Sequence, residues 1–344
     1  MNGGINVNNI KKVGGQTVKL KNPPKIISAF SIVGPKEGEG PLKSYFDQVL
    51  NDETYGKESY EKAESEMMYT SIKESIRRAN LKEEDIDYMF SGDLLNQIIS
   101  SSFAARELNI PFFGLYGACS TMSESLSLAS LIIDGGFANY VVAATSSHFC
   151  AAERQFRFPL EYGAQRCKTA QWTVTGSGAM VLGKEGDFPK ITYVTTGVVK
   201  DYGIKDANNM GAAMAPAAVD TIYNHFKDTG RTAKDYDIIA TGDLGKVGKE
   251  ICDKLILEYG YDIRNNHVDC GDIIFNNELQ GTEAGGSGCG CSATVTCGYI
   301  YKKLMRKEIK SALIISTGAL MSTTSSLQGE SIPGIAHAVA IEMD

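Results

Sequence analysis

One cysteine stands where it could do chemistry. Leu115-Tyr-Gly-Ala-Cys119-Ser-Thr121 reads as a strand, a tight turn, and a cysteine at the first turn of a helix. Free N–H groups and the helix dipole at such a position favour the thiolate, the nucleophilic form. The same pattern suits a small buried cysteine where a helix packs close to a strand, and the residues alone leave both readings open. Seven more cysteines occur at 150, 167, 252, 270, 289, 291 and 297, none in a CxxC pair. That usage predicts reduced thiols in an intracellular protein. Cys289-Gly-Cys291 lacks a second Cys/His pair, so no metal site is expected. Of four histidines, His148 and His337 border apolar runs and read as structural hydrogen-bonders rather than bases. His225 and His267 read as surface residues, on a helix face and in a polar insertion.

The elements that would position Cys119 alternate. Ile26–Val33, Ile86–Ser91, Phe112–Tyr116 and Tyr140–Thr145 are short apolar runs, and Ser59–Asn80, Gln97–Leu108 and Ser120–Ile133 have helical periodicity. This βαβα order predicts an α/β fold with a largely parallel buried sheet. The second half repeats the first. Asp85-Ile-Asp-Tyr-Met-Phe-Ser-Gly-Asp93 matches Asp235-Tyr-Asp-Ile-Ile-Ala-Thr-Gly-Asp243 at an offset of 150 residues. Gly117-Ala-Cys119-Ser120 leads to Thr145, and Gly290-Cys291-Ser292 leads to Thr317, each over 26 residues from the cysteine. The change of offset to 172 places an insertion near 260–282. Two matches in the same order argue for a duplicated unit whose halves face a shared crevice at the strand ends.

Composition narrows the partners. The 344 residues carry a net charge of −7 with pI about 5.3, which disfavours nucleic acid. Residues 1–24 are rich in Asn, Gly and Lys and lack the apolar core of a signal peptide. The apolar runs fall far short of the ~18–20 residues that span a bilayer, so membrane association is expected to be peripheral or through a partner.

The Gly-Ala-Cys-Ser turn and the duplicated halves resemble the thiolase superfamily, which includes the ketoacyl synthases. Thr175-Gly-Ser-Gly-Ala-Met-Val-Leu182 resembles the stretch closing the first half in the synthase III branch, and Ile335-Ala-His337-Ala-Val-Ala340 the last strand of thiolases. Within that superfamily five motifs resemble the stage V sporulation protein AD family. They are Gly92-Asp-Leu-Leu-Asn-Gln97, Ala143-Ala-Thr-Ser-Ser-His148, Ala152-Glu-Arg-Gln-Phe-Arg157, Ala212-Ala-Met-Ala-Pro-Ala217 and Gly285-Gly-Ser-Gly-Cys289.

The resemblance implies a thiolase fold in αβαβα layers: an extension at 1–24, then βαβαβαββ halves at 25–185 and 186–344 about a pseudo-twofold axis. It also implies a damaged catalytic set. The His or Asn positions that condensing enzymes use beside the cysteine hold Asp243 and Gly286, and the second thiolase cysteine is replaced by Gly334. A carboxylate cannot donate to an oxyanion unless protonated, and glycine has nothing to donate. The implied function is therefore binding. The ligand is dipicolinic acid or its calcium chelate, taken up into the developing spore with membrane proteins of the same transport system. Cys119, Ser120, Thr173, Asp243, Gly286, Ser287, His148 and His337 are the expected pocket residues, with Cys119 a vestigial nucleophile and Gly286 enlarging the cavity. Arg154, Arg157, Arg166 and Lys168 form either a solvated loop or a source of positive charge, while Asp93 and Asp243 oppose a bare dianion and tolerate a calcium complex, leaving free acid and chelate both open. No cofactor is expected. A homodimer, a location in the forespore or spore, and peripheral attachment to the spore inner membrane are further implications. The alternatives are a Cys119-dependent acyl-transfer enzyme of the synthase III type and a scaffold with an unused pocket.

Overall fold

The computed structural model describes residues 11–156 and 166–344; Arg157 and residues 1–10 of the N-terminal extension lie outside them. The strands follow one order twice. In the first half Lys25–Val33, Gly176–Gly183, Val141–Ser147, Tyr88–Gly92 and Phe112–Gly114 are neighbours in that sequence. In the second half Lys190–Thr195, Gly334–Glu342, Ser311–Ala319, Ile238–Thr241 and His267–Asp269 repeat it. The two sets meet where Lys25 pairs with Lys190. In each half four strands run one way and one runs against its two neighbours, so the sheet is more mixed than the βα alternation predicts. The closing strands 176–183 and 334–342 supply the antiparallel pairings, each with both of its neighbours. Thr17–Lys19 adds a small strand against Tyr193–Thr195.

Helices fill three layers around these sheets. Tyr60–Arg78 and Ile99–Leu108 cover the outer face of the first sheet, where Met68, Ile72 and Leu108 pack on Val142, Ala144 and Val181. Met210–Thr229 and Gly245–Glu258 cover the other sheet through Met214, Ile222, Cys252 and Ile256 on Leu313, Ile315 and Ala338. The central layer holds Thr121–Asp134 and the helix that starts with Cys289–Val295. Both are buried between the sheets, against Val141 and Ala143 on one side and Ala312 and Ile314 on the other. Alternate residues of each strand thus face the central and the outer layers, as the two-residue period of a strand requires. The observed helix and strand limits shift by one to three residues from the sequence reading, within ordinary end effects.

The central helices are unusually polar for buried segments. Ser123, Ser125, Ser127 and Ser130 are all inaccessible, and Ser125, Ser127 and Ser130 return their hydroxyls to backbone carbonyls of the previous turn. Ser123 and Ser292, one from each central helix, both meet the hydroxyl of Ser316, at 2.7 and 2.6 Å.

Two histidines read as surface residues are in the core. His225 is fully buried, with its ring nitrogens 2.8 Å from Thr195 Oγ1 and 2.6 Å from Tyr236 OH. His267 opens the short edge strand rather than lying in a polar insertion, and sits 2.6 Å from Asp253 and 3.0 Å from Thr241 Oγ1. Each ring finds two partners from distant segments, which satisfies its polarity without water.

Candidate functional site

The strand Phe112–Gly114 feeds the turn at 115–120, and the helix Thr121–Asp134 leaves it. Ala118 takes a left-handed backbone (φ 49°), a conformation few residues other than glycine tolerate. The turn is fixed by its own side chains. Thr121 Oγ1 donates to the Ala118 carbonyl at 2.7 Å and accepts the Gly117 N–H at 3.1 Å; Ser120 Oγ donates to the Gly117 carbonyl at 2.7 Å. Two neighbouring strands give it room. A Cβ at Gly92 would lie 2.1 Å from the Leu115 carbonyl, and one at Gly318 would lie 2.4 Å from that of Gly117. Glycine is therefore required at both.

Asp243 follows the strand Ile238–Thr241 and is fully buried beside Cys119. Its Oδ1 accepts the Thr317 hydroxyl at 2.7 Å. Its Oδ2 accepts the Gly288 N–H at 2.9 Å and the Ser287 hydroxyl at 3.2 Å. The Cys119 thiol lies beside the same carboxylate and the Gly288 N–H. Burial raises the Asp243 carboxyl above its usual range, against the pull of these donors. Burial and the adjacent Asp243 push the Cys119 thiol well above the ordinary cysteine range. The thiolate that a helix terminus favours is therefore not the resting form here. Burial, reinforced by the neighbouring carboxylate, outweighs the terminal dipole.

More acids lie behind the cysteine. Cys119 packs with Leu94, Phe156 and Cys289. Burial raises Cys289 too, and Glu64, Asp93 and Asp243 reinforce the shift. Glu64 accepts the Ser146 hydroxyl at 3.0 Å, and burial with Asp93 nearby holds it well above the normal carboxylate range. Among the described residues no cluster of three or more His, Cys, Asp or Glu is arranged to hold a metal ion.

The expected pocket residues divide. Cys119, Asp243 and Ser287 come together. Gly286 does not join them: it and Ser287 are the two residues of a short strand paired with Trp172–Thr173, so they face opposite ways. Ser287 reaches Asp243, whereas a Cβ at Gly286 would meet Ile274 Cγ2 at 2.9 Å and Val174 Cγ2 at 3.1 Å. The cavity enlargement expected at Gly286 is absent, because that space is filled by core side chains. Ser120 spends its hydroxyl on its own turn. Thr173 is half-buried, in register with Ser287. His148 is turned to Glu53 O at 2.7 Å and accepts the Cys150 N–H at 3.1 Å. His337 accepts the Gly197 N–H at 3.1 Å, and burial lowers it to about 4. Asp93 accepts the N–H of Leu95 and both the N–H and hydroxyl of Ser101.

The basic segment is committed elsewhere. Arg154 pairs with Glu61. Arg166 pairs with Glu153 at 2.8 Å and lies over the Trp172 ring at 4.6 Å. Lys168 is exposed. The sequence reading missed Thr317 and Gln171. Thr317 had a visible signal, since it is the repeat counterpart of Thr145, whose hydroxyl donates across the halves to the Cys289 carbonyl at 3.0 Å. Gln171 Nε2 donates to the carbonyls of Asp243 and Gly286, and no local pattern announces it.

A cysteine turn at a duplicated five-layer α/β core defines a thiolase-fold protein. Solved structures of that fold align over nearly the whole chain. The 3-oxoacyl-[acyl-carrier-protein] synthase III of Aquifex aeolicus VF5 covers 93% of this chain and 99% of its own at 13% identity and TM-score 0.57. Acetamide-bound OleA of Xanthomonas campestris covers 93% and 98% at 13% identity and TM-score 0.60. Sequence comparison is narrower. Residues 14–342 match the family model for stage V sporulation protein AD. The protein of that name from Bacillus subtilis (strain 168) is 46% identical over 333 residues, 97% of this chain and 98% of the relative. The chain belongs to the stage V sporulation protein AD family.

Proposed function

We propose that the Cys119 crevice binds dipicolinic acid, free or as its calcium chelate, for uptake into the developing spore, and does not catalyse acyl transfer. The observation that carries the reading is the buried Asp243 carboxylate, which stands beside Cys119 where a condensing enzyme needs a donor. An oxyanion forming beside that carboxylate would be repelled rather than stabilised. The Asp243 carboxylate supports the chelate over the bare dianion, because a bound calcium ion offsets ligand charge. Ser287 and Thr173, in register on the two-stranded ribbon, supply neutral hydroxyls. Calorimetric titration of the purified protein with dipicolinate, with and without calcium, tests the binding. Incubation with acetyl-CoA and malonyl or acetoacetyl substrates tests the chemistry. Turnover abolished by Cys119→Ala would establish instead a Cys119-dependent acyl-transfer enzyme, the second reading, which the retained cysteine favours.

The same proposal includes membrane proteins of the transport system as partners, a place in the forespore or spore, and peripheral attachment to its inner membrane. Among the described residues no helix is long and apolar enough to cross a membrane. A homodimer is supported by the edge strand Phe112–Gly114, where Phe113 and the following Tyr116 are about half exposed.

A further inference from the structure

We propose that Gln171 is a positioning residue that holds Asp243 against Cys119 and thereby keeps the thiol protonated. The inference concerns the state of the cysteine and stands whether or not the crevice binds dipicolinate.

Gln171 belongs to the first half, but its amide works on the second. Nε2 donates one hydrogen to the Asp243 carbonyl at 2.7 Å and the other to the Gly286 carbonyl at 2.8 Å. Those two loops bring the Asp243 carboxylate to the Ser287 hydroxyl and the Gly288 N–H. One planar amide with both donors engaged therefore fixes the separation of the two loops that surround the thiol. Gln171 is itself pinned. Its carbonyl accepts Arg166 Nη1 at 2.8 Å, and the next residue, Trp172, donates to the Gly285 carbonyl at 2.8 Å and stacks on Phe149 at 3.8 Å.

Two independent features mark the amide as placed for more than packing. Gly245, at φ 62°, leaves the space it occupies: a Cβ there would lie 2.9 Å from Gln171 Nε2 and 2.4 Å from the Ala284 carbonyl. Gln171 Oε1 is buried with no partner, an arrangement that folding alone disfavours. The amide cannot turn to relieve it, because Nε2 must face two carbonyls.

The molecule supplies its own control. Asn266 Nδ2 makes the same double donation, to the carbonyls of Ala233 at 2.8 Å and Tyr236 at 2.6 Å, in a different part of the second half. Gln171→Leu and Asn266→Leu therefore remove matched clamps. Alkylation by iodoacetamide, followed on the Cys119 peptide by mass spectrometry from pH 6 to 10, reads the thiol. Gln171→Leu is expected to raise the rate at pH 8 about tenfold and to shift the pH profile toward lower pH, as the carboxylate drifts from the sulfur. Asn266→Leu is expected to lower the melting temperature comparably and leave both unchanged. Equal Cys119 profiles in wild type and Gln171→Leu overturn the proposal, and so does an equal change in Asn266→Leu. If Gln171→Leu does not fold, hydrogen exchange of the Gln171 side-chain amide in the wild-type protein decides. Protection of both amide protons supports the clamp, and rapid exchange overturns it.

Discussion

Glu37 allows the sharpest quantitative test of the buried acid layer. It lies in the short helix Pro35–Gly38 and is fully inaccessible. Oε1 accepts the Thr175 N–H at 3.0 Å, while Oε2 has no partner. Burial, with a smaller push from Glu53, raises its pKa to about 8 from the ordinary 4.5. The folded protein therefore holds a proton that the unfolded chain releases between these values. The group's favourable contribution is complete below pH 4.5 and is lost as pH rises through 8. Over the whole interval the loss is about 5 kcal/mol, and at pH 7 it is about 3 kcal/mol. Glu37→Gln stays neutral and removes this dependence. Its new amide N–H group also lacks a partner, which adds a constant penalty of about 1–3 kcal/mol. Urea midpoints of both proteins from pH 4.5 to 8.5 separate the two effects, since every other titrating group cancels in the difference. The variant is expected to be the weaker protein at pH 4.5 and the stronger at pH 8. A difference that does not change with pH would refute the reasoning, because Glu37 would then be ionised or hydrated in the fold.

Other expectations concern the site and its surroundings. Asp243→Asn removes the negative neighbour of Cys119, so alkylation of that thiol at pH 8 should rise at least tenfold, with about 1–2 kcal/mol of stability lost through mismatched donors at Thr317 and Gly288. Gly286→Ala should cost about 1–3 kcal/mol in denaturant unfolding, because its methyl meets Ile274 and Val174, yet leave dipicolinate affinity within twofold. Tyr236→Phe should cost about 1–2 kcal/mol by leaving His225 Nε2 unpaired, measured by the same unfolding. His337 sits at about 4 in the fold, so the unfolded chain binds the extra proton and stability falls as pH drops from 6.5 toward 4; His337→Gln should flatten that slope.

The legible part of this molecule was what recurs along the chain. Strand–turn–helix units carry local periodicity, and two matched sets of them revealed the halves. The Gly-Ala-Cys119 turn was legible for the same reason. Side-chain direction at single positions was not. Gly286 and Ser287 differ by one place in a two-residue strand, and that step exchanges the crevice for the core. His225 and His267 looked like surface residues because their partners, Tyr236, Thr195, Asp253 and Thr241, come from other segments. The contact of Asp243 with Cys119 spans the two halves, and a sequence pattern has no term for a pairing at that distance. The thiolate expectation failed for a related reason. The helix terminus is local and readable, and the burial and the carboxylate that together override it are neither.

The central helices have a consequence for how the chain is made. Thr121–Asp134 is complete when the first half leaves the ribosome, but one of its sides packs on strands that have not yet been synthesised. Until Ser311–Ala319 arrives, the side of the helix that carries Ser123, the partner of Ser316, faces water or a chaperone. The first half is thus a structural repeat without being an autonomous folding unit. The last strand to emerge, Gly334–Glu342, lies between Ser311–Ala319 and Lys190–Thr195 and closes the sheet from within. Folding must wait for nearly the whole chain, and a nascent chain stalled before that strand presents an open sheet edge inviting intermolecular pairing.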